Sequence, residues 1–167
     1  MRWPFCILAL VARAACPDLS GSRPQWRERP APARKELTNT GANCDLSHLV
    51  WQGCDPVEVI HFLGKQGAVY HAHMKDTVVF QDNAARTGVL DFSADPAKFV
   101  QGSVIFRAVG YGHGAQLWKD VVKAYMDIGF QGIMSIESED PIQPGGVGVE
   151  RAAFVLKNVR AELLEGK

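Results

Sequence analysis

The stretch "AVYHAHMKD", Ala68 to Asp76, places two of the chain's five histidines two residues apart and a lysine two further on. Side chains along a β-strand alternate in direction, so in a strand His71, His73 and Lys75 share one face while Tyr70, Ala72 and Met74 share the other. Such a face is either a polar surface, with the histidines hydrogen-bonded to neighbours, or the start of a ligand set. An H-x-H pair alone does not separate the two. The flanking sequence has to.

On either side of it the hydrophobic pattern becomes regular. "GANCDL" from Gly41 is a short apolar run ending in polar residues, a second strand candidate. Asp55-Pro56 then opens a helix, with Asp as N-cap and Pro at the first helical position, running to about Gly67. After "AVYHAHM" comes a long connection rich in Asp, Asn and Gly. "AQLWKDVVKAYMDIG" sets Leu117, Val121, Ala124, Tyr125 and Ile128 on one helical face, with Gly129 as the C-terminal cap. "GIMSIE" reads as a third strand. A closing helix over Val149 to Leu164 is expected to turn Ala153, Leu156, Val159 and Leu163 inward. Strands alternating with amphipathic helices imply parallel β/α units.

Composition narrows the function classes. The 167 residues suit one ordinary domain, and 47% hydrophobic with 22% charged residues is globular. No apolar run approaches the roughly 18 residues of a membrane span. Formal net charge is zero, but residues 1–40 carry seven Lys/Arg against three Asp/Glu, and residues 41–167 carry 11 against 15. The second segment is thus at −4, against a nucleic-acid surface, which is normally basic. The four cysteines form no C-x-x-C pair, so neither a zinc knuckle nor a redox motif is expected; reduced thiols and a cytoplasmic location are the simplest reading.

Residues 1–40 read differently. They hold five of the nine prolines and six of the ten arginines, with no sustained period. An irregular leader is expected there, ahead of a domain over residues 41–167. Its start resembles a signal peptide: Arg2, an apolar stretch from Pro4 to Ala12, and Ala12-Arg13-Ala14 as an A-x-A site. Export is therefore the alternative location.

In each β/α unit the ionisable residues gather at the strand's carboxyl end: Asp45 and His48, then His71 and His73, then Glu137 and Glu139. Parallel β/α folds build their sites at that edge. Carboxylate and imidazole donors from three adjacent strands suit a divalent metal such as Mn²⁺, Mg²⁺, Co²⁺ or Zn²⁺. The plainer alternatives are helix caps or solvated loop carboxylates for Asp45 and Glu137, and rim salt bridges for His48, Lys75 and Arg107. Glu139, Asp140, Asp76 and His113 read as supporting or surface groups, and Trp51 and Trp118 as packing.

Four segments, "NCDLSHLVWQGCDP", "YHAHMKD", "FRAVGYGHGAQLW" and "GIMSIESED", resemble in order the last strand-end motifs of the sugar phosphate isomerase/epimerase family. That family has a xylose isomerase-like TIM barrel and is related to the family 2 apurinic endonucleases. The resemblance covers Gly41 to Lys167 and implies a partial (β/α)8 barrel, strands six to eight with their helices. It implies Asp45, His73 and Glu137 as metal ligands, with His71 deeper and hydrogen-bonded. It further implies Glu137 as a proton-transfer group, His48 as a hydrogen bond to a substrate oxygen, and Lys75 and Arg107 as holders of hydroxyl, carboxylate or phosphate oxygens.

The activity so implied is metal-assisted proton transfer beside a sugar carbonyl. A TIM barrel needs about 250 residues, and strands one to five, with the glutamate the resemblance places after strand five, have no counterpart here. The expectation is impaired activity, and either self-association or docking with a complementing half-barrel chain. Two other readings stand beside it: a non-catalytic remnant, and a metal-dependent apurinic endonuclease, which the acidic segment disfavours.

Overall fold

The period-two pattern of "VYHAHM" forms the central strand of a parallel sheet. In the computed structural model, which describes residues 41–92, 96–143 and 145–166, β1 (Ala42–Asp45) and β2 (Val69–Met74) pair in parallel, with Asp45 opposite His73. A third parallel strand, Met134–Ile136, lies along the other edge of β2 and sets Ser135 opposite His73. The expected leader at residues 1–40, the boundary behind it and the signal-like start all lie outside the described residues.

Helices cover one face of this sheet. α1 (Leu46–Trp51) follows β1 directly, and Asp45 caps it through the backbone N–H of Ser47. α2 (Pro56–Gly64) starts as its Asp-Pro signal predicts, the Asp55 carboxylate accepting from the N–H groups of Val57 and Glu58. Further along, Ala115–Asp127 forms a long amphipathic helix that buries Trp118, Val121, Val122, Ala124 and Tyr125. Gly129, at φ 65°, ends it in the left-handed conformation, and Phe130 N–H returns to the Tyr125 carbonyl. The closing helix, Gly145–Glu165, begins four residues earlier than its sequence suggests and buries Ala152, Val155 and Val159. Its inward stripe is therefore shifted from the expected Ala153 and Leu156, which are half-buried. These helices pack on Cys44, Ala72 and Met74, the apolar side of the strands, to make one core. Cys44 is a free buried thiol.

The expectation of a partial TIM barrel is overturned by the course of the chain beyond β2. After Lys75 the chain continues as β3 (Asp76–Val79), leaves the parallel sheet and pairs antiparallel with β4 (Val104–Arg107). A TIM barrel is built of parallel strands closed into one sheet. Here a three-stranded parallel sheet, with Met134–Ile136 as β5, stands beside a separate two-stranded antiparallel one, a small mixed α/β fold. The cause lies in "DTVV" and "VIFR", two short runs rich in β-branched residues that satisfy each other's backbone groups. Between them run α3 (Gln81–Thr87) and a 3₁₀ turn at Pro96–Gln101, and the Asn83 side-chain amide donates to the carbonyls of Val100 and Gly102 at 2.8 Å each. The helices Ala115–Asp127 and Gly145–Glu165 are α4 and α5.

Asp76 ties the connection after β4 to this pair. Its buried carboxylate accepts from the N–H groups of Thr77, Gly110, Gly112 and His113 and from His113 Nδ1 at 2.7 Å. A Cβ at Gly112 would collide with that carboxylate and with the Thr77 carbonyl, so the approach requires glycine.

Trp118 is fully buried between α4 and the rest of the core. Trp118→Ala is expected to cost about 3–5 kcal/mol of unfolding free energy, the usual range for removing a buried aromatic. Urea unfolding followed by circular dichroism measures it.

Candidate metal centre

Because β1, β2 and β5 are parallel and in register, residues opposite one another point to the same side. Cys44, Ala72 and Met134 share the helix-covered face. By alternation Asn43, Asp45, His71, His73 and Ser135 share the other, and Glu137 follows one residue after β5. The carboxyl ends of three neighbouring strands thus bring Asp45, His73 and Glu137 together, each with one ligand atom, all within 4.8 Å of one another.

Asp45 divides its two oxygens between two tasks. Oδ1 accepts from the Ser47 N–H at 3.0 Å and from its hydroxyl at 2.6 Å, which fixes the carboxylate as the cap of α1. Oδ2 faces the cluster, 3.3 Å from Lys75 Nζ, 3.6 Å from His48 Nε2 and 3.7 Å from His73 Nδ1. Burial alone would raise this carboxyl's pKa. His73, Lys75, His48 and Ser47 together outweigh burial and hold it well below the ordinary carboxylate range.

His73 Nδ1 lies 2.9 Å from Glu137 Oε2, and its Nε2 lies 3.3 Å from the Asn43 amide nitrogen. The neighbouring Asp45 raises its pKa most, burial opposes, and Glu137 adds to the rise. Its neighbour on the face, His71, meets it edge-on with ring centroids 5.2 Å apart and bonds the Ser135 hydroxyl at 3.0 Å. The expected hydrogen bond to His71 is thus present.

Lys75 is set deeper than a rim residue, at 1% exposure. Its ammonium reaches Glu139 at 2.6 Å, Glu137 at 2.9 Å and Asp45 at 3.3 Å, and sits 4.5 Å from the centroid of the Phe106 ring. Burial works against its charge, but the three carboxylates more than compensate and raise its pKa. His48 has the opposite balance. Burial lowers its pKa despite Asp45, and its Nδ1 accepts from Trp51 Nε1 at 3.1 Å. That bond places the neutral ring's proton on Nε2, toward Asp45. Beside it stands a row of aromatic rings: His48 lies 5.0 Å from Phe106, Phe106 5.8 Å from Phe92, and Phe92 5.5 Å from Trp51.

Arg107 is not drawn into this cluster. Its Nε donates to Asp140 at 2.9 Å and its guanidinium lies 5.4 Å from the Tyr111 ring centroid. Phe106, the adjacent residue of β4, occupies the side toward Lys75, so alternation turns Arg107 away. Sequence reasoning passed over Asn43 and Ser47. The signal for Asn43 was present, since it stands two residues before Asp45 on the same strand face.

The donor set fits a divalent cation. Ligand bonds of about 2.0–2.2 Å place neighbouring donor atoms roughly 3–4 Å apart, the range of the 2.9 and 3.7 Å separations around His73 Nδ1. Two carboxylates and one imidazole are hard-to-borderline donors of the kind such ions take.

No family model matches the chain. It is 34% identical over 119 residues, 70% of its own length, to a Bacillus subtilis (strain 168) protein described as "Uncharacterized protein YfiH". The match spans 36% of the Bacillus protein. Among the described residues no helix is long and apolar enough to cross a membrane.

The depressed pKa of Asp45 has a consequence for stability. A carboxyl whose folded pKa lies below its unfolded value stabilises the fold above the unfolded pKa, and that contribution is lost as pH falls through the folded value. Asp45→Asn keeps the cap of α1 but removes the charge. Denaturant unfolding from pH 6 down to pH 2 is expected to show the native chain losing stability more steeply than Asp45→Asn.

Proposed function

We propose that Asp45, His73 and Glu137 bind a divalent metal, Mn²⁺, Mg²⁺, Co²⁺ or Zn²⁺, and that the site serves proton transfer beside the carbonyl of a sugar or sugar derivative, in the manner of a sugar isomerase or epimerase. One observation carries the reading: three metal-type donors meet at adjacent strand ends within 4.8 Å. The bound metal would polarise a carbonyl oxygen and its neighbouring hydroxyl. Glu137, 28% exposed at the open side of the cluster, is the carboxylate placed to take and return the proton. His48 presents its Nε2–H to a substrate oxygen. The aromatic row of Trp51, Phe92 and Phe106 offers apolar ring faces to the C–H faces of a sugar, and polar groups beside aromatic walls are the usual make-up of a small-molecule site. Lys75 acts from below, pairing with Asp45 and Glu137 and helping to hold the Asp45 carboxyl ionised.

A second reading rests on Lys75 itself. An ammonium already among three carboxylates makes a self-sufficient ion cluster, in which the polar face is structural and no catalysis follows. Lys75→Met separates the two. Breaking a buried ion pair costs about 3–5 kcal/mol, so either reading predicts a less stable fold. Only the metal reading predicts tighter Mn²⁺ binding in Lys75→Met, because a competing cation has gone, and weaker binding in His73→Ala. Calorimetric titration with Mn²⁺ and Co²⁺ decides, and absence of uptake by the native chain rejects the proposal. Activity is read as deuterium exchange beside the carbonyl of ketoses in D₂O with Mn²⁺. Glu137→Gln is expected to lower that exchange by about 10²–10⁴, the usual contribution of a general acid–base group.

A further inference from the structure

Asn43 holds an anomaly at the edge of the cluster: its side-chain oxygen Oδ1 is buried with no hydrogen-bond partner, while its amide nitrogen lies 3.3 Å from His73 Nε2. Leaving a buried acceptor unsatisfied is costly, and natural structures rarely do so without a reason. The amide nitrogen can only donate, so in this arrangement His73 Nε2 accepts and the proton of a neutral ring sits on Nδ1, the nitrogen 2.9 Å from Glu137 Oε2. An Nδ1 that carries a proton has no lone pair for a metal.

We infer that Asn43 is the positioning residue that sets the tautomer of His73, by a half-turn of its amide that exchanges the nitrogen for the orphaned oxygen. With Oδ1 toward the ring, Nε2 must carry the proton and donate it to Asn43. The Nδ1 lone pair is then free on the side where Asp45 and Glu137 converge. The same half-turn brings the oxygen from its partnerless place to a donor and puts the amide nitrogen in that place. No other atom of Asn43 needs to move, since oxygen and nitrogen exchange places about one torsion. Histidines that ligate metals ordinarily donate their other ring N–H to such an acceptor. Asn43 is the side chain found at Nε2; it stands opposite His71 on the neighbouring strand, two residues before Asp45, which is opposite His73. This role for Asn43 rests on the proposed metal binding by Asp45, His73 and Glu137.

The test uses the full chain with ¹⁵N-labelled histidine, titrated with Zn²⁺, which is diamagnetic. Long-range ¹H–¹⁵N correlation reads which nitrogen of His73 bears the proton, and calorimetry reads the affinity. In the native chain the Zn²⁺-bound ring is expected to be protonated at Nε2. Asn43→Leu keeps the shape without an acceptor and is expected to weaken Zn²⁺ binding about 10–100-fold, as loss of a ligand's outer partner usually does. Asn43→Asp supplies acceptors only, and should hold His73 in the Nε2–H form even before Zn²⁺ is added, with affinity at or above the native value. Zn²⁺ bound with the proton on Nδ1, or equal losses in Asn43→Leu and Asn43→Asp, would overturn the inference. So would native affinity in Asn43→Leu, which leaves the metal reading standing. No Zn²⁺ uptake by the native chain overturns both.

Discussion

A single buried ammonium joins the two sheets. Lys75 is the residue at which the chain stops being the middle of a parallel sheet and becomes the edge of an antiparallel pair. Its Nζ holds a carboxylate from the end of β1 and two from the segment after β5, and it rests on a ring of β4. Each of these groups would be expensive to bury alone, and an ion taken from water is tolerated only when its partners are arranged in advance. The parallel register supplies that arrangement. With Asp45 opposite His73 and Ser135 on the far side, the strand ends are staggered so that the carboxylates meet above β2. The break in the sheet, the cluster and the polar face are one constraint seen from three sides.

Asp45 shows how the cluster is kept from collapsing into a simple salt bridge. One oxygen is committed to the start of α1 through Ser47 and cannot turn inward without uncapping the helix. The other is left with three partners at 3.3 to 3.7 Å, none in close contact. Glu137 is tied at 2.9 Å on both of its contacts, and Glu139 takes the shortest bond to the ammonium. The less buried side of the cluster therefore has the tighter pairs, and the deeply buried carboxylate the looser ones. A cation placed between Asp45, His73 and Glu137 would draw on the loose side first.

Much of this was legible in the sequence wherever the signal was local. The alternation of "VYHAHM" placed His71, His73 and Lys75 on one face, and the Asp-Pro pair and Gly129 marked the ends of α2 and α4. The ends of the parallel strands gathered Asp45, His48, His71, His73, Glu137 and Glu139, and the family resemblance singled out Asp45, His73 and Glu137 among them. What failed depended on partners far away in the chain. "DTVV" and "VIFR" lie more than twenty residues apart, each too short to announce a strand, and their antiparallel pairing is what rules out the partial barrel. Glu139 and Asp140, the partners of Lys75 and Arg107, are likewise far away in the chain and could not be read as such from it. Val159 was placed inward as found, but Ala153 and Leu156 were each chosen one residue after the buried Ala152 and Val155, because the first turn of α5 is glycine-rich and carries no apolar phase to read from.

The hydrogen bond from Trp51 to His48 gives the cluster an optical outlet. The indole N–H ends on an imidazole whose other nitrogen faces Asp45, so the chromophore is two contacts from the candidate ligands. Indole emission is sensitive to the charge and polarity at its ring nitrogen, and any event that reorients His48 changes what that nitrogen meets. Trp118, sealed in the core at 0% exposure, is shielded from the same events and serves as an internal constant. The molecule thus carries its own fluorophore at the rim of the site.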